Sequence, residues 1–358
     1  MEQGKRRVTR QIQLGSVAIG GDAPVSIQSM STFSPTDVAQ ASEQINRLAA
    51  AGCDIVRLAV PNRMAALAIR EVKARTAIPL VADIHFDYRL ALDAIESGID
   101  GLRINPGNIG SNDNVMAVIE KAKPKRIPIR IGINAGSLPE HILAQYGGHP
   151  TAEGMVAGAL EHIRILEAND YRELKVSLKS TDVPMMVRAY RVLAEKVDYP
   201  LHLGVTEAGT VQRGSIKSAM GIGALLLDGI GDTIRVSLTA DPLEEVSVAK
   251  MILDAAGLMS YGAVMISCPT CGRCQVNLIS LAEQVERRLE GIKTPLRVAV
   301  MGCVVNGPGE AREADFGVAG GKGRGVIFRK GKVLRTVPEA DLVDELMKEI
   351  EQYLEQER

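Results

Sequence analysis

Hydrophobic positions in the first 240 residues follow a repeating pattern, in which a short β-branched run precedes a longer segment with apolar residues at helical spacing. Strands that alternate with helices form parallel βαβ units, and eight of them in about 250 residues match a (β/α)8 barrel. The sequence therefore predicts an α/β protein with a TIM barrel. The eight predicted strands are Pro24–Met30, Asp54–Val60, Pro79–His85, Gly101–Asn105, Pro128–Asn134, Leu174–Ser180, Pro200–Thr206 and Thr233–Thr239.

Further elements are predicted around these strands. Ser34-Pro35-Thr36-Asp37 has the residue types of a helix start, with Ser34 as the cap, proline in the first turn and an acid near the positive end of the dipole. Arg7–Gly21 predicts a hairpin that plugs the bottom of the barrel. The other helices are predicted at Met64–Thr76, Asp113–Ala122, Ala152–Asn169, Asp182–Lys196 and Gly214–Leu227.

Most of the predicted strands alternate between an apolar and a polar face, as in Ile129, Ile131 and Ile133 against Arg130 and Asn134. Successive side chains of a strand point to opposite faces, so each set shares one face. Helices must cover the apolar set, and the polar set then points into the barrel, where branched aliphatic residues normally pack. The polar set is Arg57, Asp83, His85, Arg103, Asn105, Arg130, Asn134, Lys175, Ser177, Lys179, His202, Thr206, Arg235 and Ser237.

Cations outnumber acids on this inward face. Burying unpaired charges costs several kcal/mol each, so a ligand with at least two negative charges would balance them. A diphosphate fits, because arginine grips phosphate oxygens two at a time, and barrel enzymes place their sites at the strand carboxyl ends. Glu207, directly after Thr206, is a candidate acid or base at the mouth. The inward cations near the strand ends are Arg57, Arg103, Arg130, Lys179 and Arg235.

The last hundred residues predict a separate small α+β unit, with domains at residues 1–257 and 258–358. A glycine-rich flexible turn is expected at Ala319–Gly325, followed by a hairpin of Val326–Arg329 and Lys332–Thr336. Pro338–Gln356 has apolar residues on one side and predicts an amphipathic terminal helix. The remaining predicted elements are strands at Ser260–Ser267 and Leu296–Met301 and a helix at Leu278–Leu289.

Four of the five cysteines lie in this unit, between Cys268 and Cys303. Thiols clustered in this way usually hold a metal or an iron–sulfur cluster. Cys268, Cys271 and Cys303 could be three ligands of a structural zinc. Alternatively, Cys268-x2-Cys271-x2-Cys274 with the distant Cys303 has the ferredoxin-like spacing of a [4Fe–4S] cluster. Spacing alone leaves these alternatives open, together with buried unreactive thiols.

Composition excludes several classes of function. Lys+Arg 42 against Asp+Glu 43 gives a net charge of -1, so bulk charge attracts neither nucleic acid nor anionic lipid. Aromatic residues make up 3% and Trp is absent, which disfavours stacking platforms for single strands. The charged start lacks an apolar segment behind it, and the longest apolar stretch, Met220–Leu227, is too short for a bilayer. We expect a cytoplasmic protein without disulfides.

Several motifs closely resemble the bacterial 4-hydroxy-3-methylbut-2-enyl diphosphate synthase family of the non-mevalonate isoprenoid pathway. The resemblance covers essentially the whole chain. It implies two domains, a barrel followed by an iron–sulfur domain similar to a module of sulfite and nitrite reductases. The motifs are Ile27-Gln-Ser-Met30, Ala82-Asp-Ile-His-Phe86, Leu102-Arg-Ile-Asn-Pro-Gly-Asn108, Leu203-Gly-Val-Thr-Glu-Ala-Gly209, Ser267-Cys-Pro-Thr-Cys271 and Met301-Gly-Cys-Val-Val-Asn-Gly-Pro-Gly-Glu310.

The resemblance also implies roles for individual residues. A [4Fe–4S] cluster would be held by Cys268, Cys271, Cys303 and Glu310. Cys274 departs from the family pattern and could replace Glu310 by spacing. We predict Glu310, because a weak carboxylate ligand leaves one iron open to substrate oxygen. Thr206, Glu207 and Asn306 would lie near the reacting carbons, and His85 joins the substrate-binding candidates from the inward face. The implied diphosphate and substrate contacts are Arg57, Arg103, Arg130, Asn134, Lys179, Arg235 and Ser237.

The implied reaction is the two-electron ring opening and dehydroxylation of 2-C-methyl-D-erythritol 2,4-cyclodiphosphate to 4-hydroxy-3-methylbut-2-enyl diphosphate. Reduced flavodoxin or ferredoxin would be the donor, and a head-to-tail homodimer would place one chain's cluster domain over the other's barrel. One rival hypothesis is a phosphate-binding barrel transferase or metal-dependent hydrolase with a structural zinc tail, in which Asp83, His85 and His202 could seat a metal. Another is a non-catalytic iron–sulfur sensor or carrier.

Overall fold

Eight parallel strands form the sheet of the first unit in the computed structural model, which describes residues 6–356 except 105–108, 110, 111, 261 and 304–310. The chain divides into two compact units, Met1–Met259 and Ser260–Arg358. A short antiparallel hairpin of β1 (Ile12–Leu14) and β2 (Val17–Ile19) precedes the barrel. The barrel strands are β3 (Ser26–Met30), β4 (Ile55–Ala59), β5 (Leu80–Asp83), β6 (Gly101–Ile104), β7 (Ile129–Asn134), β8 (Leu174–Lys179), β9 (His202–Leu203) and β10 (Thr233–Ile234).

The order of these strands confirms the predicted TIM barrel. The sheet runs β8-β7-β6-β5-β4-β3-β10-β9, and a single parallel bridge between Val176 and Leu201 joins its two ends. β9 and β10 are much shorter than predicted, because the chain leaves the regular ladder after two residues. Their pairing continues irregularly, since the amide of Arg235 still donates to the carbonyl of Leu203 at 3.0 Å.

Helices cover the outside of the barrel and bury the apolar face of each strand. The first one begins at Val38 and is capped by Asp37, whose carboxylate accepts from the amide of Gln40 at 3.2 Å. The predicted cap at Ser34 is therefore wrong: Ser34 opens a turn closed by the Asp37 amide at 3.0 Å, and Pro35 occupies the second position of that turn. The helices are α1 (Val38–Ala50), α2 (Arg63–Ala74), α3 (Tyr88–Glu96), α4 (Asn112–Ala122), α5 (Glu140–Gln145), α6 (Ala152–Ala168), α7 (Val183–Ala194), α8 (Val211–Leu227) and α9 (Pro242–Ala255).

The hairpin of β1 and β2 closes the bottom of the barrel, as predicted. Ile12, Leu14 and Ile19 are buried in one cluster with Ile55 and Val81, which lie in the amino-terminal halves of β4 and β5. Apolar contacts therefore seal this end, and the opposite end, where the strands terminate, is left for a site.

The second unit contains a mixed sheet in order β11-β12-β13-β14-β15, with β11, β12 and β13 parallel and the last two strands antiparallel. Two helices pack on this sheet and share its apolar core. No helix in the described part of the chain is long and apolar enough to cross a membrane. The elements are β11 (Ala263–Ser267), α10 (Leu278–Leu289), β12 (Leu296–Met301), β13 (Phe316–Gly321), β14 (Arg324–Arg329), β15 (Lys332–Pro338) and α11 (Leu342–Gln356).

The predicted turn at Ala319–Gly325 is much shorter than expected: Lys322 and Gly323 form it, and the other residues lie in β13 and β14. Two of its glycines leave space for side chains that pack against the sheet. A Cβ at Gly320 would lie 2.4 Å from Val276, and one at Gly325 would lie 2.8 Å from Leu342. Glycine here lets other side chains lie directly against the sheet backbone.

Candidate functional site

A cavity of about 130 Å³ opens at the carboxyl ends of the barrel strands. Eight residues predicted from the sequence as site residues line it, together with Asp83, Gly132 and Ser177. The structure thus brings together side chains from seven strands or the segments that follow them. The predicted residues in the lining are Arg57, His85, Arg103, Arg130, Asn134, Lys179, Thr206 and Arg235.

Strand register sets the positions of these side chains. Asp83 pairs with Arg103 and Arg103 pairs with Arg130 on the successive strands β5, β6 and β7. Four residues further along β7, Asn134 pairs with Lys179 on β8. Paired residues of a parallel sheet project to the same face, so the alternation in the sequence becomes a continuous polar wall inside the barrel.

Asp83 is the sole carboxylate among the described residues that line the cavity. Its oxygens lie 3.5 Å from Nε of Arg57, 3.2 Å from Nη1 of Arg103 and 3.4 Å from Nε2 of His85. Five cationic side chains therefore share one carboxylate in the lining. Arg235 has a second acid, Glu245, at 3.7 Å, but Glu245 also accepts from Ser29 and from the amide of Leu238.

Several of these charges lack a partner. The Nε and Nη1 atoms of Arg130, and the Nε atoms of Arg103 and Arg235, are buried without a hydrogen-bond acceptor among the described residues. Buried donors of this kind are costly unless a ligand or water satisfies them. The orphaned N–H groups belong to residues that line the cavity, which is the arrangement expected of an anion site.

The pKa values reflect the same excess of buried positive charge. Burial, reinforced by the charges of Arg57 and Arg103, lowers the pKa of Arg130 well below its ordinary value. Burial, with Arg235 and Arg130, does the same to the pKa of Lys179. Burial lowers the pKa of Arg57 to about 10, although Asp83 opposes the change. For Asp83, burial acts to raise the pKa, but Arg57 and the other cations outweigh it, and its pKa falls. A dianion in the cavity would relieve this repulsion.

Gly132 is a site residue that the sequence analysis missed. A Cβ there would lie 3.0 Å from Nε of Arg103 and 3.5 Å from Oγ of Ser177. Glycine at this position therefore leaves room for the Arg103 guanidinium inside the barrel. The sequence signal that could have revealed it is a glycine in the middle of a predicted strand, Ile131-Gly-Ile133. Glycine at such a position often marks a place where another group approaches the strand backbone closely.

Other predicted site residues do not line this cavity. Ser237 is half-buried beyond β10, and Glu207 is exposed in the loop after β9. Glu207 has φ 50, a left-handed conformation that is uncommon for residues other than glycine and is concentrated at functional sites. Asn306 and Glu310 lie outside the described residues.

The barrel does not provide the metal site of the rival hypothesis. Within the described ranges, no three His, Cys, Asp or Glu side chains are grouped so that they could hold a metal ion. His202 is fully buried, and neither ring nitrogen has a hydrogen-bond partner among the described residues. The structure therefore does not bring Asp83, His85 and His202 together as ligands.

Two of the predicted cluster ligands lie at one edge of the second sheet. Cys268 follows β11 and Cys303 lies two residues after β12, its parallel neighbour. The amide of Gly302 donates to Sγ of Cys268 at 3.2 Å. Cys271 is exposed, and a hydrogen bond from the backbone of Arg273 lowers its pKa. Thiols near backbone N–H donors are the donor type that iron–sulfur clusters use, so these residues fit such a group by their chemistry, although the described cysteines are not gathered into a three-ligand group.

Cys274 has a different environment. Its thiol donates to the carbonyl of Val276 at 3.2 Å, and its side chain packs against the apolar core of the second unit. A Cβ at Gly302 would lie 2.8 Å from Sγ of Cys274, so glycine at residue 302 makes space for this thiol. These contacts account for Cys274 as a packed, hydrogen-bonded side chain.

Fold and site together define a (β/α)8-barrel protein with a cation-lined cavity, followed by a separate cysteine-bearing unit. The GcpE TIM-barrel domain matches residues 9–250, and the GcpE protein C-terminal domain matches residues 264–352. The chain belongs to the GcpE family. This confirms the resemblance inferred from the sequence motifs.

Curated relatives cover nearly the whole chain. A protein from Geobacter sulfurreducens is 59% identical over 346 residues, which are 97% of this chain and 98% of that protein. One from Clostridium perfringens is 57% identical over 97% of this chain and 99% of its own length, and one from Bacillus subtilis is 56% identical over 97% and 92%. Each is named 4-hydroxy-3-methylbut-2-en-1-yl diphosphate synthase (flavodoxin). None of these names supports the transferase or hydrolase alternative.

Proposed function

We propose that this chain is a 4-hydroxy-3-methylbut-2-en-1-yl diphosphate synthase that takes electrons from flavodoxin. It would convert 2-C-methyl-D-erythritol 2,4-cyclodiphosphate to the linear allylic diphosphate, using two electrons and releasing one oxygen as water. The observation that carries this proposal is the barrel cavity, where five cations share one carboxylate. Full-length similarity to relatives with that name supports the same reaction.

The diphosphate is the part of this substrate that the cavity is built to hold. Its two negative charges would offset the mutual repulsion of Arg57, Arg103 and Arg130. The unpartnered N–H groups of Arg130 and Arg235 supply donors for phosphate oxygens, and Lys179 adds a point charge. Anchored in this way, the carbon skeleton would extend toward the mouth, where Thr206 lines the cavity.

A [4Fe–4S] cluster, when bound, would supply single electrons to the breaking C–O bonds. We propose Cys268, Cys271, Cys303 and Glu310 as its ligands, of which the carboxylate would be the weakest. Cys274, which hydrogen-bonds to Val276, is left out of this set.

Groups near the mouth of the barrel would protonate the departing oxygen and donate a hydrogen bond to it. Glu207, held in a left-handed conformation beside Thr206, is the proposed acid for the leaving oxygen. Asn306 would assist by donating a hydrogen bond from its amide. Ser237, His85 and Asn134 complete the proposed substrate contacts.

Assembly and electron donor follow from the family resemblance. A head-to-tail homodimer would allow the cluster unit of one chain to close over the barrel of the other. Sedimentation of the purified protein tests this pairing, and an exclusively monomeric active enzyme would contradict it. Ferredoxin is the alternative donor, and parallel assays with each reduced protein distinguish the two.

The reaction is tested with anaerobically purified protein, reduced flavodoxin and the cyclodiphosphate. We expect about four iron and four sulfide per chain, and formation of the linear diphosphate. Zinc without iron would instead favour a transferase or hydrolase with a structural zinc. Neutral variants of Arg57 and Arg235 should abolish turnover, whereas a sensor or carrier would be unaffected. Glu207→Gln should lower kcat, and full turnover would remove Glu207 from the mechanism.

A further inference from the structure

A second set of polar side chains lies inside the barrel, outside the lining of the anion cavity. Gln28 on β3, Lys175 on β8 and His202 on β9 are all at most 1% exposed. The amide atoms of Gln28, the Nζ atom of Lys175 and both ring nitrogens of His202 have no hydrogen-bond partner among the described residues. Substrate binding as proposed above uses none of the three, so their presence in the core needs another explanation.

Strand geometry connects Lys175 to the cavity. Lys175, Ser177 and Lys179 alternate along β8 and share the inward face, and the last two line the cavity. Lys175 lies four residues before Lys179, about 13 Å along the strand. Its register partner on β7 is Arg130, whose guanidinium also lines the cavity. Arg130 is thus a neighbour of Lys175 and also faces the cavity.

The charges around Lys175 come from three neighbouring elements. Arg130 on β7 repels it, and His202 on β9 adds no negative charge. Asp232, just before β10, attracts it but is already engaged. One oxygen of Asp232 pairs with Arg6 at 3.0 Å, and the other accepts from the amide of Leu201 at 2.8 Å. Lys175 is therefore a buried base beside a cation, without a carboxylate of its own in the described part of the chain.

The charged and neutral forms of Lys175 consequently have similar free energies near neutral pH. Burial, with a further contribution from Arg130, lowers the pKa of Lys175 to about 7. Burial and the surrounding cations hold the pKa of His202 far below its ordinary value, so this ring stays neutral at pH 7. Of these two buried bases, Lys175 is the one whose protonation state can change when the charge in the cavity changes.

We propose that Lys175 takes up a proton when a dianion occupies the cavity, and that it thereby sets the affinity for doubly charged ligands. The anion offsets the charge of Arg130 and so weakens the repulsion that, in addition to burial, disfavours the charged amine of Lys175. In the empty barrel the neutral amine avoids one more buried cation. The identity of the natural ligand rests on the proposed function, but the linkage itself requires only a dianion in the cavity.

Titration calorimetry tests this linkage with oxidised holoprotein and the cyclodiphosphate, without reductant, so that no turnover occurs. Both phosphates of this ligand are esterified, and it does not titrate near neutral pH. Heats measured at pH 8 in two buffers of different ionisation enthalpy give the protons taken up per ligand. We expect clear uptake, and a Kd that rises by up to about tenfold per pH unit between pH 7 and 9 for each proton.

Lys175→Met isolates the contribution of this side chain, with Lys175→Gln as a second variant in case Met disturbs folding. The variants should take up fewer protons than the wild type. They should bind more weakly than the wild type near pH 6.5, and the difference should shrink toward pH 9, where the wild-type amine is neutral. Lys196→Met, at an exposed lysine on the outside of the barrel, is the matched control and should behave like the wild type. Equal proton uptake by wild type and both Lys175 variants would overturn the proposal.

Sulfate provides a test that does not depend on the proposed function, because it remains a dianion from pH 6.5 to 9. Sulfate should raise the Tm of the wild type more than that of Lys175→Met at pH 6.5, and equally at pH 9. The same increase in both proteins at pH 6.5 would overturn the inference. If the cyclodiphosphate fails to bind but sulfate gives the expected result, the proposed function is contradicted, and the link between dianion binding and protonation of Lys175 is still supported.

Discussion

Asp83 is the residue on which the charge balance of the barrel depends most, and Asp83→Asn removes its charge at nearly constant size. Its carboxylate is buried and contacts Arg57, Arg103 and His85. Neighbouring cations keep its pKa below the ordinary value against the effect of burial. The carboxylate is therefore ionised at neutral pH, and its stabilisation is lost as the pH falls through the folded-state pKa.

The expected cost comes from leaving buried cations uncompensated. Breaking a buried ion pair by removing one partner typically costs about 3–5 kcal/mol. The amide oxygen that Asp83→Asn introduces would still accept a hydrogen bond from Arg103, so the lower end, about 3 kcal/mol, applies. A dianion should restore much of this loss, because it supplies the missing negative charge. At a ligand concentration a hundred times Kd, binding adds about 2.7 kcal/mol.

Chemical denaturation with and without sulfate measures both effects. Asp83→Asn should lose stability in plain buffer and regain more than the wild type does when sulfate is added. Asp198→Asn removes one partner of the exposed Arg10–Asp198 pair and is the control, with a change of about 1 kcal/mol or less. Unchanged stability in Asp83→Asn, or equal sulfate stabilisation of mutant and wild type, would refute the account of an overcharged cavity.

Three further predictions concern other parts of the chain. Lys175→Met should be more stable than the wild type by several kcal/mol at pH 7. Between pH 7 and 10.5 the amine of Lys175 binds a proton in the unfolded chain but not in the folded one, and this costs the wild type stability. The difference in unfolding free energy between the two proteins should therefore vanish by pH 10.5. Gly132→Ala should weaken dianion binding in calorimetry, because the new Cβ would displace the Arg103 guanidinium by a few tenths of an ångström, whereas Gly136→Ala, with open space around it, should bind normally. Cys274→Ser should retain iron after anaerobic purification and Cys303→Ser should lose it; iron loss in both would make Cys274 a ligand.

The sequence predicted the barrel well because its signal is local and repeated. Period-two alternation within strands placed Arg103, Arg130 and Lys179 on one face before any contact was known. The rule that barrel sites lie at strand carboxyl ends then located the cavity. Both inferences depend only on strand geometry, which the structure confirms.

Features set by neighbours distant in sequence were missed or mistaken. Gly132 matters because Arg103, on another strand, needs its space. The glycines from Gly320 to Gly325 suggested flexibility, but Val276 packs where a Cβ of Gly320 would be, and Leu342 packs where a Cβ of Gly325 would be. At Ser34 the residue types of a cap were present, but the turn that Pro35 favours moved the cap to Asp37. In each case tertiary contacts, or a competing turn, outweighed the local pattern.

The most direct test of the central claim is a crystal structure of the anaerobically prepared protein with the cyclodiphosphate bound. Both phosphates should lie in the barrel cavity, with oxygens within hydrogen-bond distance of the Arg130 and Arg235 guanidinium groups. A ligand bound elsewhere, or an Arg130 guanidinium paired with a carboxylate while the ligand is present, would contradict the account.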